Sequence, residues 1–477
     1  MGDPWVQVFA CVALVSAALS GFQLAARASR APAAAAALET PPAVGPNPVL
    51  PAVPSSPARS ERPAALGPQA SGPGVALMLR PKKPGRWIVD AAMGPGADRP
   101  ALGEVLASVS DGDVVLVRPG SYRGALTISK SVTIEGEGAK PEDVQIDSDG
   151  LLTAAVAGGK VVFRNLTLAN SGSKLATVLS ISKAEASLER VHVRAAGQGV
   201  RVSRGGFAAS RCVLASRIAL IAEDRSLVAV EDCAISGTDI GALVKGDAIE
   251  ARFLRCRFTD SERGLNVEGR SRLEVEDSVF SALLGHGGGL FAFAGAHVRV
   301  KASRFLLARS SRAGIYVEDA VLEGDNVRIQ DSVRSGVVAT KEASVTLDRS
   351  QIINNAWAGV AADKRSRVTL RRTTLTGNSD CALQANDASL TLDRVTAERN
   401  RCGVGFFGAG TLEVNHSRFA VNALGSLAVT PGFENRITMR GADNEGFSVK
   451  AAGAATAPPA VGQRRFAHDI FSGNRRF

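Results

Sequence analysis

The sequence predicts an all-β parallel solenoid, a rod of about 12 stacked coils closed at its amino-terminal end by a short helix. Three observations carry this. Strand-like segments recur at intervals of 21 to 25 residues, each segment alternates apolar and polar residues, and composition favours tight turns around a narrow interior. Glycine is abundant at 49 residues, while Tyr (2), Trp (3) and Met (4) are scarce. Small and β-branched side chains suit a thin sheet core, and a helical bundle would look different.

The repeats come first. Segments ending at Leu168, Val193, Leu214, Ile235, Phe258, Phe280, Phe305, Ile329, Ile352, Leu375, Ala397 and Phe419 share the alternation of VVFRNLTL or LEVEDSVF. Period two marks a strand with one buried face. A second short strand follows a small residue, as in Gly264-Leu-Asn-Val267, Gly314-Ile-Tyr-Val317, Gly336-Val-Val-Ala339, Gly359-Val-Ala-Ala362 and Gly403-Val-Gly-Phe406. Two or three short strands per period describe one coil. The leucine and asparagine consensus of leucine-rich repeats is absent.

Stacking predicts what sits where, because equivalent residues of successive coils lie about 4.8 Å apart and must tolerate their own kind. Two residues before each landmark the sequence reads Leu166, Val191, Cys212, Cys233, Cys256, Ser278, Ser303, Val327, Ser350, Thr373, Val395 and Ser417, small or apolar throughout. Three residues past the landmark come Asn355, Asn378, Asn400 and Asn422. Their side chains can bond one another and the backbone groups of a bend, so a structural ladder is expected. Cys212, Cys233 and Cys256, like Cys381 and Cys402, belong to similar stacks, and an inter-coil disulfide is left open.

A solenoid must protect its ends. Pro100 to Ser110 spaces Leu102, Val105, Leu106 and Val109 as a helix would, giving the amino-terminal cap. The solenoid is expected over residues 85–450, with a loose basic tail over 451–477 that carries Arg464-Arg465 and Arg475-Arg476. Residues 1–28 hold a nearly uncharged stretch, Trp5 to Ala26, that reads as a signal peptide or membrane anchor. Residues 29–84 are rich in Ala and Pro, which block regular structure, and read as a disordered linker. The chain is expected to be membrane-anchored or exported, in the cell envelope, periplasm or outside, and monomeric.

Lysine plus arginine exceed aspartate plus glutamate by 56 to 46, a net charge of +10 that favours polyanions. Most basic residues are scattered singly, as on a solvated surface, and no basic stripe is interleaved with aromatics. Nucleic acid is therefore not an expected partner. Six cysteines form no CxxC pair, no metal-ligand cluster is evident, and no cofactor is expected.

Several motifs resemble a known family. Trp87-Ile-Val-Asp90, then Asp111-Gly-Asp-Val-Val-Leu-Val-Arg-Pro-Gly-Ser-Tyr122, then Leu126-Thr-Ile-Ser-Lys-Ser-Val-Thr-Ile-Glu-Gly136 look like the opening of pectin methylesterases and of carbohydrate-binding and sugar-hydrolase β-helix repeats. The resemblance implies a single-stranded right-handed parallel β-helix of the pectin-lyase-like superfamily. It extends to Phe163-Arg-Asn-Leu-Thr-Leu-Ala-Asn170, which precedes the active site in methylesterases. There the family supplies two aspartates, one as nucleophile and one for acid-base work. Gly197-Gln-Gly-Val200 puts Gly199 at the first of these places, and Ile218-Ala-Leu-Ile-Ala222 offers no aspartate at the second. Methylesterase activity is therefore rejected. Gly285-His286-Gly287 is similar to a short polygalacturonase motif, but the coils upstream lack that family's asparagine-threonine-aspartate and paired-aspartate signatures, which its hydrolysis needs.

No catalytic or metal site is assigned. The candidate ligand face is the outward row of the second strand, Leu243, Asn266, Phe291, Tyr316, Val338, Ala361 and Gln384. Phe291 and Tyr316 could stack on sugar rings, with Arg263, Asn266, Glu268 and His286 as polar neighbours. The competing structural account is a satellite core, with the two rings lying under the His286 loop. The expected function is a noncatalytic binding or scaffold module contacting acidic polysaccharide or another envelope component. The alternative is a polysaccharide lyase, epimerase or glycoside hydrolase acting on uronic-acid glycan.

Overall fold

A computed structural model describes residues 85–447, apart from 282, 284–286 and 309–311. The segments 1–28, 29–84 and 451–477 lie outside the described residues, as does His286. All strand pairings are parallel, and the strands form three ladders that wind as a right-handed solenoid of about 14 turns. The first ladder runs from Arg86–Val89 to Ile437–Ala442. The second runs from Gly120–Arg123 to Arg418–Ala420, and the third from Leu126–Ile128 to Leu427–Val429.

Every landmark of the sequence repeat falls in one column of the second ladder. Leu168 pairs with Val193, Phe258 with Phe280 and Ala397 with Phe419, with the others in the same register. Two further members, Tyr122 and Ile146, precede Leu168. They account for the difference between 12 and 14 turns. The 3-10 turn Pro141–Asp143 interrupts the alternation there, so these coils do not look like the rest.

The column points inward and sets the core. Phe258 and Phe280 stack with centroids 4.5 Å apart at 2°, and Phe280 and Phe305 at 4.4 Å and 3°. All three are fully buried. Burial of a side chain this size stabilises by about 1.5–3 kcal/mol, and the parallel register forces the rings into contact.

The corners between ladders hold most of the polar order. At the first corner each coil places one residue in the left-handed region, among them Arg211 (φ 55), Asp232 (φ 52), Arg255 (φ 50), Arg349 (φ 49) and Arg372 (φ 45). That bend breaks the backbone ladder, and the residue following it needs an acceptor for its N–H. The small column supplies it. The Ser278 hydroxyl accepts from the Cys256 N–H at 3.0 Å, Ser303 from Ser278 at 3.1 Å, Ser350 from Val327 at 3.1 Å and Ser417 from Val395 at 3.0 Å. Each hydroxyl also donates to the carbonyl two residues back, as Ser278 does to Glu276 at 2.8 Å. Cysteine fills the same role where the Cys233 sulfur accepts from the Cys212 N–H at 3.3 Å.

The left-handed arginines reach back to the acid of the preceding coil. Arg255 meets Asp232 at 2.7 Å, Arg349 meets Asp325 at 2.8 Å and Arg372 meets Asp348 at 2.9 Å. Much of the scattered basic charge is thereby matched coil by coil.

At the second corner the asparagines form a ladder. Asn355 donates to Asn378 Oδ1 at 2.9 Å, Asn378 to Asn400 at 2.8 Å and Asn400 to Asn422 at 3.2 Å. The same oxygens take the backbone N–H of the coil before, and Ser332 joins the series through Asn355 Oδ1 at 3.1 Å. Glycine opens the third strand because the chain is tight there. A Cβ on Gly314 would lie 2.6 Å from Leu307 Cδ1 and 2.7 Å from the Gly336 carbonyl oxygen.

Helix α1 (Leu102–Ser108) caps the amino-terminal end with Leu102, Val105 and Leu106 buried. At the other end Phe447 lies on Phe419 with ring centroids 5.0 Å apart. Cys381 and Cys402 of adjacent coils are joined by a disulfide, while Cys212, Cys233 and Cys256 are free and buried.

Candidate functional site

The third ladder carries the candidate face, and its register follows the row read from sequence. Leu243 pairs with Asn266, Asn266 with Phe291, Phe291 with Tyr316, Tyr316 with Val338, Val338 with Ala361 and Ala361 with Gln384. These side chains point away from the main core, yet most are not exposed. Phe291 is 0% accessible, Tyr316 3%, Val338 2% and Ala361 0%. With Ala313 and Ala358 they form a second apolar cluster, against which Phe293 and Trp357 pack. Ala313 and Ala358, which precede third-ladder strands, lie in that cluster, and the Phe291 and Tyr316 side chains are covered.

The polar neighbours divide into two groups. Asn266 is buried and donates to Glu268 Oε1 at 2.9 Å, while its own Oδ1 meets no hydrogen-bond donor. Tyr316 Oη donates to Glu318 Oε2 at 2.6 Å, and Lys341 pairs with the same carboxylate. Burial would raise the Glu318 carboxyl, but the bonds from Lys341 and Tyr316 overcome it and hold the group below the usual range.

The second group is a set of arginines along the second corner. Arg263 lies over the Phe291 ring at 5.7 Å, and Arg334 over the Trp357 ring at 4.6 Å. Arg312 stands between them and feels the like charge of both, with Glu262 and Tyr316 near. Burial pushes the Arg312 guanidinium below its ordinary range, and repulsion from Arg263 and Arg334 adds to the effect. Arg263 is also lowered by burial, against the pull of Glu262, Glu268 and Asp239. The coil between Arg263 and Arg312 contributes Gly287, Gly288 and Gly289. Those glycines set no side chain between the cations.

Sequence reasoning named Arg263 and passed over Arg312, Arg334 and Trp357. The signal was the spacing. The Arg312 N–H donates to the Gly287 carbonyl, the Trp357 N–H to that of Arg334 and the Asp380 N–H to that of Trp357, so one corner column runs through all of them.

Elsewhere the outer surface offers a shallow groove of about 610 Å³ across the first ladder, lined by Leu227, Glu250, Arg252, Arg272, Glu274 and His297 among others. Its charges are largely matched. Arg252 meets Glu276 at 3.0 Å, and Arg299 beyond it meets Glu323 at 2.7 Å. Among the described residues no group of His, Cys, Asp and Glu could hold a metal ion, and no helix is long and apolar enough to cross a membrane. At Gly199 a Cβ would lie 2.4 Å from the Ala219 carbonyl oxygen, so the backbone there leaves no room for the methylesterase aspartate.

Three parallel ladders wound in one sense define the class: the chain is a right-handed parallel β-helix. The family model described as Right handed beta helix region matches residues 289–441, and a short match to Strictosidine synthase-like, N-terminal, covers residues 128–164. No curated protein matches the sequence. Among solved structures, tailspike protein 3 of bacteriophage CBA120 is 12% identical, with 72% of this chain and 58% of that one covered and a TM-score of 0.48. The periplasmic alginate epimerase AlgG is 9% identical over 71% of this chain and 84% of its own, with a TM-score of 0.41. Pectin methylesterase PemA from Erwinia chrysanthemi is 15% identical over 41% of this chain and 78% of its own, with a TM-score of 0.31. At such identities the likeness concerns the fold alone.

Proposed function

We propose that this protein is a noncatalytic β-helix module of the cell envelope that binds acidic polysaccharide. The observation that carries the reading is the placement of Arg263, Arg312 and Arg334 along one corner, Arg263 over the Phe291 ring and Arg334 over the Trp357 ring. Three guanidinium groups along one corner give it a positive field, and a carboxylate is drawn to such a field. A uronate carboxylate suits a guanidinium fork, which binds a planar carboxylate through two parallel bonds. Phe291 serves as the floor under Arg263 and Tyr316 packs beside it, rather than either acting as a sugar platform. Glu268 remains a candidate for a sugar hydroxyl, oriented by the buried Asn266, and His286 remains a candidate contact.

The segments 1–28 and 29–84 fit a surface anchor and a tether, which would place the rod in the envelope, periplasm or outside the cell. Binding of the full chain to immobilised polygalacturonate or alginate, against a neutral glucan, tests the function. Arg312→Gln is expected to weaken retention on the acidic polymers about tenfold, the worth of one charge-assisted contact of roughly 1.4 kcal/mol. Equal retention on the neutral glucan would remove the anion from the account. Release of unsaturated or shortened sugar in the same assay would replace the noncatalytic reading with the enzyme alternative.

A further inference from the structure

The outward face of the second ladder differs from the other surfaces in its charge. From Ala234 to Thr376 its outward residues include three arginines, Arg257, Arg304 and Arg328, and no acid; Glu398 follows one coil further on. The first corner carries acids, of which Asp232 is engaged by Arg255 and Asp325 by Arg349, while Asp277 makes no ion pair among the described residues. On the far side Asp331 accepts from Gln330 at 2.7 Å. Arg257, Arg304 and Arg328 themselves make no ion pair with any described residue.

Arg304 and Arg328 are register partners in adjacent coils. Parallel strands set them about 4.8 Å apart at the backbone, and like charges directly opposite destabilise a sheet. Arg257 sits two coils before Arg304, through Val279. The Arg328 guanidinium donates to the side-chain Oε1 of Gln351 at 3.3 Å and to that of Gln330 at 2.5 Å. Uncharged hydrogen-bonding side chains, Gln351 and then Thr374 and Thr396, continue the same column.

We infer that this face is a second polyanion site, an arginine track along which an acidic glycan chain lies parallel to the solenoid axis. The inference rests on the acidic-glycan reading above and extends it from one corner to a line of coils. Charge complementarity selects an anion. Spacing suits a polymer, because Arg304 and Arg328 stand one coil step of about 4.8 Å apart and Arg257 two steps before Arg304, distances of the order of one and two sugar residues. The face has no outward aromatic on which a base could stack, which disfavours single-stranded nucleic acid. The amide and hydroxyl side chains beyond the arginines, Gln351, Thr374 and Thr396, instead match sugar hydroxyls.

The experiment uses the full chain and oligogalacturonates of graded length together with the polymer. In the double variant Arg304→Gln, Arg328→Gln, affinity for the polymer is expected to fall about tenfold or more, with a smaller loss for the shortest oligomers. The wild-type gain with chain length should flatten in the variant. Both positions are exposed, so the melting temperature should hold. If the double variant melts early, Arg328→Glu alone gives the same reading. Unchanged polymer affinity in a folded variant that still responds to Arg312→Gln overturns the track and leaves the corner site standing. No binding of any acidic glycan by wild type overturns the underlying reading. Tighter, variant-sensitive binding to duplex DNA or to anionic lipid vesicles than to polygalacturonate overturns the glycan as occupant.

Discussion

The side-chain amide of Asn378 donates to Oδ1 of Asn400 at 2.8 Å, and the same Oδ1 accepts the Asn378 backbone N–H at 3.0 Å. One amide oxygen thus closes a bend in the coil before it, and the arrangement repeats from Asn355 to Asn422.

Replacing Asn378 with alanine removes the acceptor for the buried Asn355 N–H and the donor to Asn400. A buried polar group without a partner costs about 1–3 kcal/mol. The denaturant midpoint should fall accordingly at unchanged slope, and a loss below about 0.5 kcal/mol would mean the bend finds other partners.

Phe280 lies between Phe258 and Phe305 in the core stack. Phe280→Ala should cost about 3–5 kcal/mol, because both neighbours lose a ring face and the coils cannot collapse along the axis. Chemical unfolding measures it.

Phe291→Ser opens the covered cluster of the third ladder. Stability should fall by about 3 kcal/mol or more, while retention on polygalacturonate below the new melting temperature falls no further than in Arg263→Gln. Lost retention in a variant of unchanged stability would restore the ring as a sugar platform.

The three buried free thiols should resist labelling until the chain unfolds. Burial pushes the Cys256 thiol up to about 11, so the neutral form persists through ordinary alkaline conditions. Native labelling in a Cys11→Ser background should stay flat from about pH 7 to 9, while that of the unfolded chain rises as ordinary thiols near 8.5 ionise. Reduction of Cys381 and Cys402 should separately lower stability by about 2–4 kcal/mol, read as a shift in the melt with reductant.

Asp90 accepts from Arg118 at 2.9 Å and from the Ala92 and Gly94 N–H groups. The Arg118 bond, helped by the backbone bonds, holds its carboxyl below the usual range. A depressed folded value gives stability present above the unfolded value near 4 and lost as pH falls below it. The difference in melting temperature between wild type and Asp90→Asn should therefore be largest near neutral pH and shrink under acid.

The sequence alone determined the coil, its period and its register. A parallel stack places each residue on its own equivalent, so similarity at 21 to 25 residues is contact written in the chain. The landmark column, the asparagines and the row from Leu243 to Gln384 were legible for that reason. Tertiary structure decided what covers that row. Whether Phe291 meets solvent or Ala313 depends on how corner segments fold back, and alternation reports only which side of a strand a residue takes. It also decided which charges are spent. Arg255 and Arg304 read alike in sequence, but the bend at Arg255 turns it onto Asp232, whereas Arg304 points outward from a strand with no acid beside it.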